Sequence, residues 1–266
     1  MIDLPRSTFY YRSTAKHVGL DDARLVELIG EIQDEFPGYG YRRVMRELAG
    51  RGHVINHKRL KRVMRAHGLG AKRRRRMMRT TNSDHDLPIF PNLYRNCIPA
   101  TPDTVWVADI TYIHIASGFA YLAAILDACS RKVVGYAISR RIDTQLTLAA
   151  LDAAVACRQP PPGTCIHHSD RGSQYASSRY RDALARYGLI GSMSSVANPY
   201  DNAQAESFMR TLKVEEIYLA AYESFADVAA RLPVFIEDVY NAKRMHSALD
   251  YLSPDQFERN LAQQAA

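Results

Sequence analysis

The chain has 266 residues, of which 47% are hydrophobic and 24% charged, and its formal net charge is +7. This is the composition of a globular protein with enough apolar side chains for a core, which excludes a fully disordered chain. No apolar run reaches about 18 residues, so a membrane-spanning helix is excluded, and the first residues predict no secretory signal. The cysteines form no CxxC pair, which is typical of reduced thiols in a cytosolic protein: Cys97, Cys129, Cys157 and Cys165.

The positive charge is concentrated in one segment. Tyr41–Arg79 contains 15 Lys/Arg, including the run Lys72–Arg76, and a single acid, Glu47, whereas the remainder of the chain carries 20 Lys/Arg and 27 Asp/Glu. A charge run can be a solvated face, but like charges at this density repel each other unless a polyanion is bound. We therefore expect this segment to bind nucleic acid.

The first part of the chain predicts three short helices. Apolar residues at helical spacing indicate helices over Asp21–Phe36 and Tyr41–Ala49. A third helix is predicted over Asn56–His67, since Asn56 is a suitable N-cap. Together they predict a small, basic, all-α DNA-binding domain that resembles a helix-turn-helix and spans residues 1–79.

A proline-containing segment separates these helices from a region with strand-like alternation. Residues 80–103 contain four prolines and little periodicity, so we interpret them as a linker. Residues 104–266 predict an α/β core, a mixed five-stranded sheet with flanking helices and a C-terminal helix. Its predicted elements are Thr104–Ile115, Phe119–Leu126, Val133–Ser139, Asp143–Cys157, Thr164–His168, Tyr175–Tyr187, Leu189–Met193, a helix from Asn202, and Phe225–Ala242.

Three carboxylates of the predicted core stand at unusual positions. Asp109 lies in the middle of an apolar strand, where an acid is costly to bury without a partner or a metal ion. Asp170 follows the fourth strand, and Glu206 lies about one turn into a helix. Spacing alone proves little, but three such oxygen ligands can hold two Mg²⁺ ions about 3.5–4 Å apart. A pair of ions of this kind activates a water or a 3′-hydroxyl at a phosphodiester.

Several ordered motifs resemble those of one family, the insertion-sequence transposases of the IS3 group, within the DDE transposase and retroviral integrase superfamily. The spacing of 60 residues between Asp109 and Asp170 and 35 between Asp170 and Glu206 matches the pattern of that family. One departure is Ala197, which stands where the family usually has a glycine. The motifs are YGYRR at 39–43, NHKR at 56–59, WVADITY at 106–112, DACSRKVVG at 127–135, HHSDRGSQY at 167–175, NPYDNAQAESF at 198–208, LKVEE at 212–216, YNAKRMHSAL at 240–249 and SP at 253–254.

The resemblance implies an RNase H-like core that cuts and joins DNA at the ends of an insertion sequence. It implies that Asp109, Asp170 and Glu206 are catalytic metal ligands for two Mg²⁺ ions per site, with Mn²⁺ as a substitute. Further implications are double-stranded DNA as substrate at the element ends and the target, a homo-oligomer on DNA, and a location at the bacterial nucleoid in the cytoplasm. No leucine-zipper heptads precede residue 20, so we expect an upstream helix-turn-helix and zipper segment, fused or separate.

Basic residues near these elements are candidates for DNA contacts, because a carboxylate site that holds DNA needs cations beside it. His168 and Asn202 are candidates for orienting the carboxylates, although a core histidine and a helix N-cap fit the same positions. The candidate DNA-contacting residues are Arg42, Arg43, Lys58, Arg59, Lys61, Arg62, Arg73, Arg74, Arg75, Arg76, Arg210, Lys213, Arg244 and His246.

Two other functions are consistent with the same residues. An RNase H-like nuclease would use the carboxylates to hydrolyse nucleic acid without joining it. A non-catalytic DNA-binding regulator would depend on the basic helical unit alone, and the intact set of carboxylates argues against it.

Overall fold

In the computed structural model the chain divides into two compact units, Met1–Lys72 and Arg73–Ala266. The structure describes residues 20–70, 87–95, 97, 99–195 and 201–265. The domain boundaries predicted from the sequence, with a linker at 80–103, remain predictions. Across the described ranges, no helix combines the length and apolar character needed to cross a membrane.

The first unit contains three helices at the predicted positions: α1 (Asp22–Glu35), α2 (Tyr41–Gly50) and α3 (His57–Ala66). Side-chain caps define two of the helix starts. Asp21 accepts a hydrogen bond from the N–H of Arg24 before α1, and Asn56 accepts one from the N–H of Lys58 before α3. One apolar face of each helix is buried in a common core: Leu25, Ile29, Ile32, Val44, Leu48, Leu60 and Val63.

The second unit is built on the mixed five-stranded sheet that the sequence predicts. The strand order is β3-β2-β1-β4-β5, with β1, β2 and β3 antiparallel and β4 and β5 parallel to β1. The strands are β1 (Val105–Ile115), β2 (Gly118–Asp127), β3 (Val133–Ser139), β4 (Ile166–Ser169) and β5 (Ile190–Met193).

Helices that connect and follow the strands complete this unit. Those of four residues or more are, in chain order, α4 (Thr144–Arg158), α5 (Ser173–Ala176), α6 (Ser178–Arg186), α7 (Ala203–Leu212), α8 (Phe225–Val234) and α9 (Pro254–Ala265). A π-helical segment, Lys213–Ile217, follows α7, and a second one, Phe235–Asn241, follows α8.

Two predicted helices are divided in the structure. The helix predicted over Tyr175–Tyr187 is broken at Ser177, whose extended backbone and side chain cap the start of α6. The helix predicted over Phe225–Ala242 changes to π geometry after Val234. Pro233, which has no N–H to donate, lies two residues before the π segment begins at Phe235.

Alternation along β1 divides its side chains between two cores. Val105, Val107 and Ile113 pack into one core together with apolar residues of α7 and α8. Trp106 and Ala108 pack into the other core with α4 and α6. The central strand is therefore enclosed on both faces, and any acid on it is removed from bulk water unless it lies at the end of the covered region.

Gly135 on β3 gives a direct test of how closely the sheet packs on α4. A Cβ atom there would lie 2.4 Å from the backbone nitrogen of Ala154 and 2.6 Å from the carbonyl oxygen of Ala150. We expect Gly135→Ala to lower the free energy of unfolding by roughly 1–3 kcal/mol, because backbone atoms must shift. Urea unfolding measures this change.

Gly30, inside α1, provides the control because a Cβ atom there would meet nothing within 4 Å. Gly30→Ala should raise stability by roughly 0.5–1 kcal/mol, since alanine favours a helix interior. Wild-type stability in the Gly135→Ala variant would contradict the close approach of β3 and α4.

Candidate active site

Asp109 and Asp170 are brought to the same edge of the sheet by the pairing of β1 with β4. The strands are parallel, and their last paired residues are Val107 and His168. Asp109 and Asp170 each stand two residues beyond this last pair, Asp170 directly after the end of β4, and the charge of Asp170 acts on Asp109. Neighbouring strands lie about 4.8 Å apart, and residues at one register position point to the same face. The sheet therefore makes these two carboxylates neighbours.

Main-chain N–H groups hold both carboxylates. The N–H of Ile110 donates to Asp109 Oδ1 at 2.8 Å, and the N–H of Gly172 donates to Asp170 Oδ1 at 2.9 Å. Both bonds come from residues close in sequence, so each acid is oriented by its own loop or strand. These hydrogen bonds orient the carboxylates but do not neutralise their negative charge.

Glu206 reaches the site from α7. It is exposed and lies in the first turn of the helix, where the helix dipole favours a negative charge. The helix begins after Asn202, a buried residue whose side-chain Nδ2 donates to the carbonyl oxygen of Ala108 at 3.0 Å. Because Ala108 directly precedes Asp109, this bond ties the start of α7 to the strand that carries the first carboxylate.

The electrostatics show that Asp170 and Glu206 both act on Asp109. Desolvation, followed by the neighbouring charge of Asp170 and then that of Glu206, raises the pKa of Asp109 to about 8. The hydrogen bond from Ile110 and the charge of Lys213 oppose this rise. Partial desolvation on its exposed turn also raises the pKa of Glu206. A cation placed among these carboxylates would relieve the repulsion that raises the pKa of Asp109.

The three carboxylates are chemically suited to a divalent cation, but they are not gathered around a single position. All three groups are hard oxygen ligands of the kind that Mg²⁺ and Mn²⁺ prefer. Within the described ranges, no three His, Cys, Asp or Glu side chains are gathered closely enough to hold an ion. The structure thus joins Asp109 to Asp170 and leaves Glu206 nearby on an exposed turn.

Lys213 lies at this site, although not as the surface phosphate contact that the sequence predicts. Its side chain is only 4% exposed, and its Nζ lies 4.4 Å from the centroid of the Tyr112 ring. It favours the charged form of Asp109, and desolvation lowers its own pKa. Lys213 is therefore a buried counter-charge beside the carboxylates.

Other predicted DNA contacts near α7 are divided by burial. Arg244 is buried, and its guanidinium makes two hydrogen bonds to Glu215, of 2.6 and 2.7 Å. His246 is also buried and packs edge-on against the ring of Tyr240. The structure places both residues inside the unit instead of on a DNA-facing surface. Arg210 is exposed on α7, and its contact with a DNA phosphate stays a prediction.

His168 is placed as a core histidine. It is fully buried, with its Nδ1 2.8 Å from Ser192 Oγ and its Nε2 3.2 Å from Ser194 Oγ. Burial lowers its pKa to about 4, so the ring is neutral at physiological pH. Its hydrogen bonds join β4 to β5 and the residue that follows β5, which supports the strand leading to Asp170.

Two of the predicted cations of α3 are ion-paired within the unit. Arg59 and Arg62 each make an ion pair of 2.7 Å with Asp22 at the start of α1. The negative charge of Asp22 thus partly neutralises these two arginines. Lys58 and Lys61 are exposed, and Lys61 Nζ lies 4.3 Å from the centroid of the Tyr41 ring.

The cations of α2 lie against tyrosine rings. Arg42 is exposed and its Cζ is 5.3 Å from the centroid of the Tyr41 ring, while Arg43 is half-buried near Tyr39. Arg73, Arg74, Arg75 and Arg76 lie outside the described residues, and so does Ala197.

Sequence reasoning missed an arm that supports the site. Residues 87–95, within the predicted linker, belong to the second unit and contact its sheet and core. Asn92 Nδ2 donates to the buried carboxylate of Asp201 at 2.8 Å, close to the start of α7. Phe90 packs against Gly191, and Tyr94 is buried in the core beneath the sheet. The signal available in the sequence was these two aromatic residues within a polar, proline-containing stretch.

Comparison with known proteins assigns both units. An integrase core domain matches residues 99–199 and a second integrase core domain matches residues 187–254. An HTH-like domain matches residues 20–77. Among solved structures, a chain of the simian T-cell lymphotropic virus intasome in complex with PP2A regulatory subunit B56 gamma has a TM-score of 0.51 at 15% identity, covering 86% of this chain and 74% of that chain. This likeness confirms the predicted fold.

Curated relatives are much closer in sequence. The transposase for insertion sequence element IS904 of Lactococcus lactis is 41% identical over 88% of this chain and 93% of its own length. The IS600 uncharacterized 31 kDa protein of Shigella sonnei is 41% identical over 86% of this chain and 84% of its own. Transposase InsF for IS3A of Escherichia coli is 40% identical over 84% of this chain and 78% of its own. The chain therefore belongs to the insertion-sequence transposase family, with an HTH-like domain followed by an integrase core.

Proposed function

We propose that this protein cuts DNA at the ends of an insertion sequence and joins those ends to a target. The observation that carries the proposal is the register of β1 and β4, which sets Asp109 beside Asp170, with Glu206 within electrostatic reach. Membership of the insertion-sequence transposase family supports the same reaction. A purely regulatory role would leave this costly carboxylate arrangement without a purpose.

Asp109, Asp170 and Glu206 would hold two divalent cations, Mg²⁺ or Mn²⁺ in its place. When bound, such ions supply a strongly nucleophilic hydroxyl and stabilise the leaving oxygen of the phosphodiester. The protein's own groups prepare for this role. The N–H groups of Ile110 and Gly172 orient two of the acids, and Glu206 has to move inward from its exposed turn to complete the set.

Double-stranded DNA is the proposed substrate. Its phosphates would first be bound by exposed cationic side chains. Lys58, Lys61 and Arg42 present cations on the surface of the helical unit, and Arg210 does so on α7. A single helix such as α3 reads only a few base pairs, so recognition of an end needs more than one copy or a further segment. We propose a homo-oligomer on DNA, aided by an upstream helix-turn-helix and zipper segment.

The three carboxylates are tested by charge-neutral replacement. Asp109→Asn, Asp170→Asn and Glu206→Gln should each reduce cleavage and joining of a labelled element end about a thousandfold, because bound metal contributes several kcal/mol in the transition state. DNA binding should persist. Asp182→Asn, an exposed acid on α6, serves as the control and should leave both steps unchanged.

The same assay separates the competing functions. A labelled end that is cleaved but never joined would favour a nuclease over a transposase. Substantial activity in any one of the three variants would remove that residue from the proposed set of ligands.

Asn202 provides a test of how the site is held together. Asn202→Ala removes the donor to the Ala108 carbonyl oxygen and should lower joining 10- to 100-fold, the range seen when groups supporting metal ligands are lost. The Mn²⁺ concentration that gives half-maximal joining should rise. Ser207→Ala, on the exposed face of α7, should change neither quantity. An unchanged Mn²⁺ requirement in Asn202→Ala would show that this bond does not position the carboxylates.

The basic run after the helical unit is tested through salt dependence. Replacing Arg73, Arg74, Arg75 and Arg76 with alanine should reduce the slope of log affinity against log salt by up to about 3.6, if all four contact phosphates. Replacing the exposed Arg179 and Arg186 of α6 is the control, with little expected change. An unchanged slope in the fourfold variant would mean that the run is only solvated.

A further inference from the structure

The motif YNAKR, which begins at Tyr240, turns three side chains into the interior of the second unit. Tyr240, Asn241 and Arg244 are all buried, and the first two end the π-helical segment Phe235–Asn241. A polar group is costly to bury without a partner, so each of the three needs one inside the unit. The partners lie on three different elements.

Tyr240 packs against the helix that carries Glu206. Its ring meets the ring of Phe208 edge-on, at a centroid distance of 4.8 Å. Phe208 is buried on α7, two residues after Glu206. Both rings belong to the core that also contains Val105 and Val107 of β1. Tyr240 thus packs α7 onto the core on that face of the sheet.

Asn241 binds the sheet directly. The N–H of Val133 donates to Asn241 Oδ1 at 2.9 Å, and Asn241 Nδ2 donates to the carbonyl oxygen of Val133 at 3.0 Å. Val133 lies on β3, which is an edge strand of the sheet. The side-chain amide therefore donates and accepts as the peptide group of a further strand would, and it anchors the motif to the sheet.

Arg244 binds the segment that continues α7. Glu215 lies in the π-helical segment Lys213–Ile217, which begins directly after α7 ends. Arg244 Nε donates to Glu215 Oε2 at 2.6 Å, and Arg244 Nη2 donates to Glu215 Oε1 at 2.7 Å. The two side chains are only 4% and 8% exposed. Two parallel bonds between planar groups fix the direction of the contact as well as its length.

The helix α7 is therefore held at both ends. At its start, Asn202 Nδ2 donates to the carbonyl oxygen of Ala108, and beyond its end Glu215 is bound by Arg244. Glu206 lies between these two attachments and acts electrostatically on Asp109. A buried ion pair often adds little net stability compared with apolar side chains of the same volume. What apolar side chains would not supply at this position is a fixed direction.

We propose that Arg244 is a positioning residue for the transposase reaction, and that it acts through Glu215 and α7 on Glu206. The inference rests on the proposed function. By holding the far end of α7, Arg244 lets the Glu206 side chain turn toward a metal ion at Asp109 while the helix stays in place. This role depends on contacts within the protein, in contrast to the DNA contact that the sequence predicts for Arg244.

The test measures Mn²⁺ binding by the full chain on a pre-cleaved element end, from the electron paramagnetic resonance signal of free Mn²⁺, so that no turnover is needed. Arg244→Lys keeps the charge but cannot make the two-pronged contact. Its dissociation constant for Mn²⁺ should rise about tenfold, as expected when a group that supports a metal ligand is lost. Affinity for the element end in EDTA should stay within about twofold of wild type.

A double-variant cycle shows whether the effect passes through Glu206. In a Glu206→Gln background, Arg244→Lys should cause no further loss of Mn²⁺ affinity, because the ligand that it positions is already absent. A general loosening of the unit would weaken Mn²⁺ binding in both backgrounds.

Arg158 provides the matched control. It donates to both carboxylate oxygens of Glu258 at 2.8 and 2.9 Å, and these side chains are 14% and 16% exposed. This pair joins α4 to α9 and involves no residue of α7. Arg158→Lys should therefore lower stability in urea to a similar degree as Arg244→Lys, yet leave Mn²⁺ affinity unchanged.

A second variant separates positioning from folding. Replacing the pair with apolar side chains, as Arg244→Met together with Glu215→Leu, removes both buried charges at once and should preserve stability in urea. Because apolar contacts have no fixed direction, Mn²⁺ binding should still weaken about tenfold. Wild-type Mn²⁺ affinity in this folded double variant would overturn the proposal.

Three further results would also overturn it: unchanged Mn²⁺ affinity in Arg244→Lys, an equal loss in Arg158→Lys, or a loss that persists in the Glu206→Gln background. Joining is measured separately with the wild-type chain. Absence of joining, together with a loss of Mn²⁺ affinity that depends on Glu206, would refute the proposed function and leave the positioning role standing. Joining by the wild-type chain with unchanged Mn²⁺ affinity in Arg244→Lys would refute the positioning role alone.

Discussion

The burial of Asp109 close to a second acid, Asp170, with Glu206 within electrostatic reach, is the constraint on which the site depends. The pairing of β1 with β4 ends two residues before Asp109 and Asp170 and brings them within electrostatic reach; burial, followed by the charge of Asp170, raises the pKa of Asp109 to about 8. An arrangement that costs free energy in the isolated protein is stabilised by a cation. We therefore interpret the fold around these acids as a site prepared for divalent metal and a phosphodiester.

The short β4 explains how the remaining groups reach the site. β4 pairs with β1 only through Val107, so the strand beyond that point is open on one side to α7. Asn202 uses this opening to bind the carbonyl oxygen of Ala108. The π-helical segment that follows α7 begins with Lys213, buried over Tyr112, and such segments are frequent at functional sites. This part of β1 thus organises the acids and their counter-charge.

The sequence predicted the elements that local patterns define. Alternation located β1 and β3, and caps such as Asn56 located the helices of the first unit. The acids could be selected because an aspartate in an apolar strand is costly. Burial of Arg244 against Glu215 could not be predicted, since their contact joins residues that are distant in the chain. The hydrogen bond from Asn92 to Asp201 could not be predicted for the same reason. The proline content of the segment that contains Asn92 favoured its interpretation as a linker.

The most direct test of the central claim is to locate Mn²⁺ in crystals of the full chain bound to a pre-cleaved element end, using anomalous diffraction. The account predicts an anomalous peak in contact with the carboxylates of Asp109 and Asp170, with Glu206 turned inward from its exposed position. It also predicts the loss of that peak in the Asp109→Asn protein. Manganese bound elsewhere, or a peak that is unchanged in Asp109→Asn, would contradict the proposal that these carboxylates form the metal site.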